Sequence, residues 1–156
     1  MNRHSILFVC MGNICRSPAA EGVFRKLVAD AGRDHEFEID SAGTIGYHAG
    51  NPADSRMRAA ATRRGYRLDS RARRLADDDY GRFRLIVAMD DDNYRDLQAG
   101  HPGEGAEVVR MVDYCSEIDA TEVPDPYYGG PSGFEHVLDI LEDACGGLLR
   151  RFDTAE

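Results

Sequence analysis

Long hydrophobic runs are missing from this sequence of 156 residues. A helix that spans a membrane needs about 18 or more consecutive apolar residues, and no stretch of the sequence reaches that length. The first apolar run, residues 6–9, is too short and wrongly flanked for a secretory signal peptide. We therefore expect a cytoplasmic protein that makes no contact with a membrane.

Cysteine and basic residues are both scarce. The four cysteines are too few and too widely spaced for a disulfide framework, and their spacing with the five histidines matches no zinc motif. The 19 lysines and arginines are outnumbered by 28 aspartates and glutamates, which leaves a net charge of −9. This charge argues against nucleic-acid binding, because phosphate backbones need a basic surface. We expect no metal and no cofactor, and any phosphate site must depend on local positive charge.

What is present is an alternation of β-favouring and helical segments. The expected strands are residues 6–9, 37–39, 85–88 and 108–112. The expected helices run from residue 17 to about 32, over 53–64, from about 93, and over 134–152. Ser17 and Pro18 suit the N-cap and first position of the first helix, and the glycine-rich segment 40–52 is expected to be a loop. The alternation predicts one α/β domain, residues 1–156, with a parallel sheet and right-handed crossovers.

The most informative segment is a loop between a cysteine and an arginine. Cys10 ends the first expected strand, and five residues separate it from Arg16, which opens the first helix. In open α/β sheets, ligands bind at the carboxyl ends of the strands. The backbone N–H groups of the five residues between can surround one anion at the helix N-terminus; these residues are Met11, Gly12, Asn13, Ile14 and Cys15. Gly12 and Asn13 are residue types that tolerate the left-handed backbone this curvature needs.

The same loop suits covalent phosphate chemistry. A free cysteine has a pKa of about 8.5, and helix N-termini with nearby cations lower it to roughly 3.5–7.5. Cys10 would then attack phosphorus as a thiolate, Arg16 would clamp two phosphoryl oxygens, and the Ser17 hydroxyl would help the thiolate leave. A cysteine at this spacing from an arginine can also be a buried residue that only packs in the core. The position of Cys10 between a buried strand and a helix that starts with Ser-Pro favours a catalytic cysteine over this alternative.

An acid for the leaving group is available far along the chain. The segment Asp125-Pro126-Tyr127-Tyr128 by itself indicates only a turn. Together with the cysteine loop it indicates two separate roles, with Cys10 as the nucleophile and Asp125 as the acid and base. Asp125 would protonate the departing phenolate and later deprotonate the water that attacks phosphocysteine.

These segments, together with residues 40–44 and 89–90, closely resemble the low-molecular-weight protein tyrosine phosphatases over nearly the whole chain and in the family's order. The resemblance implies a flavodoxin-like three-layer sandwich, in which a four-stranded parallel sheet carries helices on both faces. It implies that Cys10 is the nucleophile, Arg16 the phosphate clamp and Asp125 the general acid. It also implies phosphotyrosine proteins as substrates, phosphate or sulfate-like anions as pocket ligands, and room for a cognate tyrosine kinase as a partner.

The resemblance assigns supporting roles as well. Asn13, Ser17 and Ser41 would form the hydrogen-bond network that holds the loop. Tyr47, Ile14 and Tyr127 would form an aromatic slot that selects phosphotyrosine, because phosphoserine is too short to reach the thiolate; Tyr128 would lie at the rim. Many relatives carry a histidine before residues 71–73, where this chain has Ser70, and we expect a rearranged or water-filled contact there.

Several alternatives stay open at this point. A thioredoxin-coupled arsenate reductase shares the cysteine loop but needs two further, closely spaced cysteines, whereas Cys115 and Cys145 are thirty residues apart. A non-catalytic phosphotyrosine-binding module, or a phosphatase for small molecules or phosphoarginine, would use the same pocket. Cys15 either packs in the loop or forms a reversible disulfide with Cys10 under peroxide. His48 either contacts substrate near the pocket or is exposed at the surface, and exposure is what we expect.

Overall fold

The centre of the structure is a four-stranded parallel β-sheet. The computed structural model describes residues 3–127 and 129–153. The strands are β1 (His4–Cys10), β2 (Phe37–Gly43), β3 (Leu85–Ala88) and β4 (Glu107–Arg110). They are arranged in the order β2-β1-β3-β4, and all pairs are parallel. Because the chain passes from β1 to β2 on one side and then to β3 on the other, the carboxyl end of β1 is the point where a crevice opens.

Helices cover both faces of the sheet. The α-helices are α1 (Arg16–Asp30), α2 (Ser55–Arg63), α3 (Asp79–Arg82), α4 (Asp91–Gly100) and α5 (Pro131–Arg151). One core contains Phe8 of β1, Phe24 of α1 and Leu138 of α5, and the other contains Leu7 of β1 and Leu97 of α4. β1 is therefore buried on both faces, as its uninterrupted apolar sequence predicts. The predicted α/β sandwich with a four-stranded parallel sheet is confirmed.

Several elements differ from the sequence prediction in their bounds, and one short helix was not predicted. β2 runs on to Gly43, because Ser41 and Ala42 pair in register with β1, so the expected loop begins only at Thr44. The fourth strand ends at Arg110, and residues 111–114 form a 3₁₀ helix. The short α3 lacks the repeated apolar spacing by which a helix is recognised. None of the described helices combines the length and hydropathy required to cross a membrane.

The carboxyl-terminal helix α5 approaches the 3₁₀ helix at residues 111–114 through a glycine. A Cβ atom added to Gly147 would lie 1.9 Å from the backbone oxygen of Tyr114. The neighbouring Gly146 has space, because the nearest atom to its added Cβ would be Nη1 of Arg150 at 3.6 Å. Gly147 is therefore required for close packing, whereas Gly146 is not.

We predict that Gly147→Ala lowers the free energy of unfolding by about 1–3 kcal/mol or more, because backbone cannot yield as a side chain does. Gly146→Ala is the matched control and should raise stability by up to about 1 kcal/mol, since alanine favours the helix. Urea unfolding of both variants measures the difference. Equal effects of the two substitutions would contradict the close approach.

Candidate active site

The segment between β1 and α1 curls around the thiol of Cys10. The backbone N–H of Asn13 points at Cys10 Sγ, with an N···S distance of 3.3 Å, and Ser17 Oγ lies 3.0 Å from the same sulfur. Cys10 is buried, with 2% of its surface exposed. A thiolate here would accept hydrogen bonds from the loop and lie next to the positive end of α1.

Only one of the two residues expected to adopt left-handed backbone does so. Asn13 has a φ of 58°, whereas Gly12 keeps a negative φ. Gly12 lies close to His48: an added Cβ would lie 3.0 Å from Cδ2 of that side chain, which would have to shift slightly. The prediction for Asn13 is confirmed and that for Gly12 is wrong, because the loop reverses its backbone at Asn13 alone of the two.

Ser17 is not the N-cap of the first helix. α1 begins at Arg16, one residue earlier, and within the described part of the chain no side chain caps its start. Ser17 lies inside the first turn, where its hydroxyl contacts Cys10 and accepts a hydrogen bond from Nδ2 of Asn13 at 2.8 Å. The uncapped N–H groups of the first turn are thereby left for an anion in the loop.

Arg16 is almost fully buried and firmly held. Its Nη1 donates to Oδ2 of Asp90 at 2.6 Å and to the carbonyl of Val123 at 3.1 Å. Burial opposes a charge on Arg16, but the negative charges of Cys10 and Asp90 outweigh burial and raise the pKa of Arg16 above its ordinary value. The guanidinium is therefore charged and fixed in orientation before any ligand arrives.

Asp90 and Val123 were not identified from the sequence as partners of Arg16. Asp90 follows β3, which lies beside β1, so the carboxyl ends of the two strands bring it to the loop. The visible signal was the Met89-Asp90 motif at the end of a buried strand, but the partner becomes apparent only once the strand order is known.

Asp125 lies across the pocket from the loop. Its Oδ2 is 3.8 Å from Nη2 of Arg16, and its Oδ1 accepts a hydrogen bond from the backbone N–H of Tyr127 at 3.0 Å. The side chain is 38% exposed. It is therefore fixed by its own turn yet open to the place where a leaving group would stand.

The loop, Asp125 and the rim enclose one cavity of about 350 Å³. Its lining includes predicted residues from three separate segments; these are Cys10, Met11, Gly12, Ile14, Cys15, Arg16, Tyr47, Asp125 and Tyr127. Two further lining residues, Ile45 and His48, were not among the predicted site residues, and His48 is half-buried where exposure was expected. Tyr47 is 84% exposed and stands at the rim with its ring edge to face against that of His48. Tyr128 lies outside the described residues.

A buried polar network lies behind the loop. Asn13 Nδ2 donates to Oγ of Ser17 at 2.8 Å and to Oγ of Ser41 at 3.0 Å, and its Oδ1 accepts from the backbone N–H of Arg73 at 3.0 Å. The network therefore contains the three residues expected of it. Within residues 3–127 and 129–153, no hydrogen bond joins Ser70 to Asn13; Ser70 lines a separate cavity of about 390 Å³.

The remaining thiols differ from Cys10 in their surroundings. All four cysteines, each within the described residues, are free thiols. Burial, with a smaller contribution from Asp54, raises the pKa of Cys15 far above its ordinary value. Burial also raises the pKa of Cys145, and raises that of Cys115 to about 11. No three His, Cys, Asp or Glu side chains in the described ranges are grouped so as to hold a metal ion.

An open parallel sheet whose first strand ends in a Cys-x5-Arg loop around a buried arginine is typical of a cysteine-dependent phosphatase. The family model for low molecular weight phosphotyrosine protein phosphatases matches residues 5–156. A low molecular weight protein-tyrosine-phosphatase of Streptomyces coelicolor is 45% identical over 150 residues, which cover 94% of this chain and 92% of the relative. The human low molecular weight phosphotyrosine protein phosphatase is 38% identical over 150 residues, with 94% of each chain covered.

A solved structure agrees with these sequence matches. The crystal structure of a protein tyrosine phosphatase from Entamoeba histolytica, with Hepes in its active site, superposes with a TM-score of 0.94 at 48% identity and covers 96% of this chain and 97% of the other. The chain belongs to the low molecular weight phosphotyrosine protein phosphatase family. It is a cysteine-dependent protein-tyrosine phosphatase.

We predict that iodoacetamide near pH 7 alkylates Cys10 and leaves the other three cysteines unmodified. A thiol whose pKa is raised stays protonated below that pKa, and the thiolate is the form that reacts. Mass spectrometry of peptides identifies the modified residue, and inorganic phosphate should protect Cys10. Earlier or equal labelling of Cys15 would contradict the prediction.

Proposed function

We propose that this phosphatase hydrolyses phosphotyrosine and related aryl phosphate monoesters through a phosphocysteine intermediate on Cys10, with Asp125 as the general acid. The observation that carries the proposal is the meeting of Cys10, Arg16 and Asp125 on one cavity. These residues come from three segments, the end of β1, the start of α1 and the loop before α5.

In the first step, the Cys10 thiolate attacks phosphorus and the bond from phosphorus to the phenolic oxygen breaks. Asp125 transfers its proton to that oxygen, so that tyrosine leaves as a neutral phenol. Arg16 and the loop N–H groups stabilise the charge on the three equatorial oxygens. Because Asp90 and Val123 already fix Arg16, little reorganisation is needed as the charge develops.

In the second step, the Asp125 carboxylate takes a proton from water, and the water oxygen attacks phosphorus. The bond between phosphorus and sulfur breaks, and Cys10 leaves as a thiolate. Ser17 supports this departure, because its hydroxyl lies 3.0 Å from Cys10 Sγ. Inorganic phosphate is released and Asp125 is protonated again for the next cycle.

The shape of the cavity supports an aryl substrate. Ile14, Tyr47 and Tyr127 line it, with Tyr47 at the rim, so an aromatic ring can fill the space while its phosphate reaches the loop. Phosphoserine has no ring and a shorter reach. Proteins that carry phosphotyrosine are therefore the proposed substrates, phosphate and sulfate-like anions are proposed pocket ligands, and a cognate tyrosine kinase is a proposed partner.

Two further proposals accompany the activity. Residues 1–156 act as one domain, since one sheet supplies both the core and the catalytic loop. The cytoplasm is the proposed location, because four free thiols suit a reducing compartment. A thiol relay of the arsenate reductase type is disfavoured, because Cys145 is buried in α5, where its Sγ lies 3.8 Å from the carbonyl of Ala20.

We predict that the wild-type protein hydrolyses p-nitrophenyl phosphate and a phosphotyrosine peptide in the presence of a chelator. Cys10→Ser should abolish turnover, and Arg16→Lys should reduce it steeply, because lysine lacks the two-pronged guanidinium. Rates measured between about pH 5 and 7 should follow a bell-shaped profile, as expected for an acid and a base. A wild-type protein that binds phosphate but turns over neither substrate would contradict the proposal.

We predict that the effect of Asp125→Asn depends on the leaving group. Phenyl phosphate leaves as a strongly basic phenolate and needs the proton, so its kcat should fall by about 10²–10⁴-fold. p-Nitrophenyl phosphate leaves as a weakly basic phenolate and should lose less. Single-turnover rates for both esters measure this difference. An equal loss for the two esters would show that Asp125 is not the general acid.

A further inference from the structure

Glu21 is a buried carboxylate to which the proposed reaction gives no role. It lies on α1, and 7% of its surface is exposed. Its Oε1 accepts a hydrogen bond from Oγ of Ser41 at 2.7 Å, and its Oε2 accepts one from Nε of Arg25 at 3.0 Å. An ionised carboxylate can only accept hydrogen bonds. Ser41 must therefore donate its single hydroxyl hydrogen to Glu21.

This direction continues into the loop network. Because the hydrogen of Ser41 is committed to Glu21, its oxygen can only accept from Asn13, and Nδ2 of Asn13 lies 3.0 Å away. The amide of Asn13 is thus oriented with nitrogen towards the serine hydroxyls. Its oxygen accepts from the backbone N–H of Arg73 at 3.0 Å, which agrees with that orientation.

The last step of the network reaches the nucleophile. The second Nδ2 hydrogen of Asn13 goes to Oγ of Ser17 at 2.8 Å, so Ser17 accepts there and keeps its own hydrogen for another partner. The two available acceptors are Cys10 Sγ at 3.0 Å and the carbonyl of Ala42 at 3.5 Å. As a thiolate, Cys10 Sγ is the better acceptor of the two, because hydrogen bonds to ions are stronger than those to a neutral carbonyl. It is also the nearer acceptor, although a larger sulfur atom would allow a longer contact than oxygen does.

We propose that Glu21 is a positioning residue that acts through Ser41 and Asn13 to direct the hydroxyl hydrogen of Ser17 at Cys10 Sγ. The inference rests on the proposed thiolate mechanism. Glu21 makes no contact with the reacting atoms; it selects which of the possible hydrogen-bond arrangements the network adopts. Without it, Ser41 is free to donate elsewhere, and the amide of Asn13 loses one of the contacts that hold its orientation.

The charge of Glu21 by itself would have the opposite effect. A nearby negative charge disfavours a thiolate, so its removal would favour ionisation of Cys10. Arg25 offsets that charge through the ion pair at 3.0 Å. Substitution at Glu21 leaves in place the other charged or titratable groups described around the thiol, which are Arg16, Cys15, Tyr47, His48, Asp90, Asp125 and Tyr127. Loss of the Glu21 charge alone would make the Cys10 thiolate easier to form, whereas loss of the hydrogen-bond orientation would make it harder. The direction of the change therefore distinguishes the two explanations.

The test is the pH dependence of Cys10 alkylation by iodoacetamide in Glu21→Ala, Glu21→Gln and Ser41→Ala. Glu21→Ala and Ser41→Ala should move the alkylation midpoint to higher pH by about 0.5–1 unit, because the thiolate loses part of its hydrogen bond. Glu21→Gln keeps an oxygen that accepts from Ser41 and should stay within about 0.3 unit of the wild type. The Glu21→Ala, Ser41→Ala double variant should shift no further than either single variant.

Glu142 provides a matched control. It too accepts one hydroxyl and one guanidinium hydrogen bond, from Tyr66 at 2.6 Å and Arg64 at 3.0 Å, but far from the loop. Glu142→Ala should lower thermal stability without moving the alkylation midpoint. A merely structural role of Glu21 would give the same result in Glu21→Ala.

Kinetics supply a second readout. Glu21→Ala should slow breakdown of phosphocysteine about 3–10-fold, more than its formation, because Ser17 supports the departing thiolate. The expected signature is a burst of p-nitrophenolate.

Three results of the alkylation test would each overturn the inference. These are a lower alkylation midpoint in Glu21→Ala, an unchanged midpoint in Glu21→Ala, and equal upward shifts in Glu21→Ala and Glu21→Gln. If Glu21→Ala does not fold, Ser41→Ala decides. Alkylation needs no substrate, so a wild-type protein that hydrolyses no ester would count against the proposed function alone.

Discussion

The site depends on one residue held in left-handed backbone. Asn13 adopts a φ of 58°, which costs about 1–2 kcal/mol for a residue with a Cβ atom. Its side chain makes three hydrogen bonds, to Ser17, Ser41 and the backbone of Arg73. At about 0.5–1.5 kcal/mol each, these bonds offset the strain. Because the partners belong to α1, β2 and the segment after residue 70, the loop keeps its shape only when those parts of the fold are in place.

A protein with a net charge of −9 binds phosphate by keeping its positive charge local. Arg16 is buried, the backbone N–H of Asn13 points at the thiol, and the positive end of α1 adds to both. Asp90 offsets the charge of Arg16 through a contact of 2.6 Å, which makes burial of the charge tolerable. An incoming phosphate then adds negative charge where the guanidinium is already oriented, so the acidic surface elsewhere does not prevent binding.

The proposed catalytic groups could be recognised in the sequence because their spacing is local or carried by a distinctive motif. Cys10, Arg16 and the strand before them form one continuous pattern, and Asp125 stands in a recognisable turn. Asp90 as the partner of Arg16 could not be found in this way, since the contact spans 74 positions and depends on β3 lying beside β1. Ser17 was assigned both as a helix cap and as a member of the loop network, because serine suits the two roles equally, and only the three-dimensional contacts show that it fills the second and not the first.

In the proposed mechanism, the chemistry and the choice of substrate depend on different parts of the fold. Cys10 and Arg16 stand on the end of a buried strand and the start of a long helix, which are rigid elements. The rim residues Ile45 and Tyr47, by contrast, lie in turns between β2 and α2, and they are 42% and 84% exposed. Loops tolerate substitution far better than the elements they connect. Under the proposed mechanism, changes at the rim therefore alter which phosphoprotein is accepted, while the Cys10 loop, with the polar network behind it, keeps its geometry.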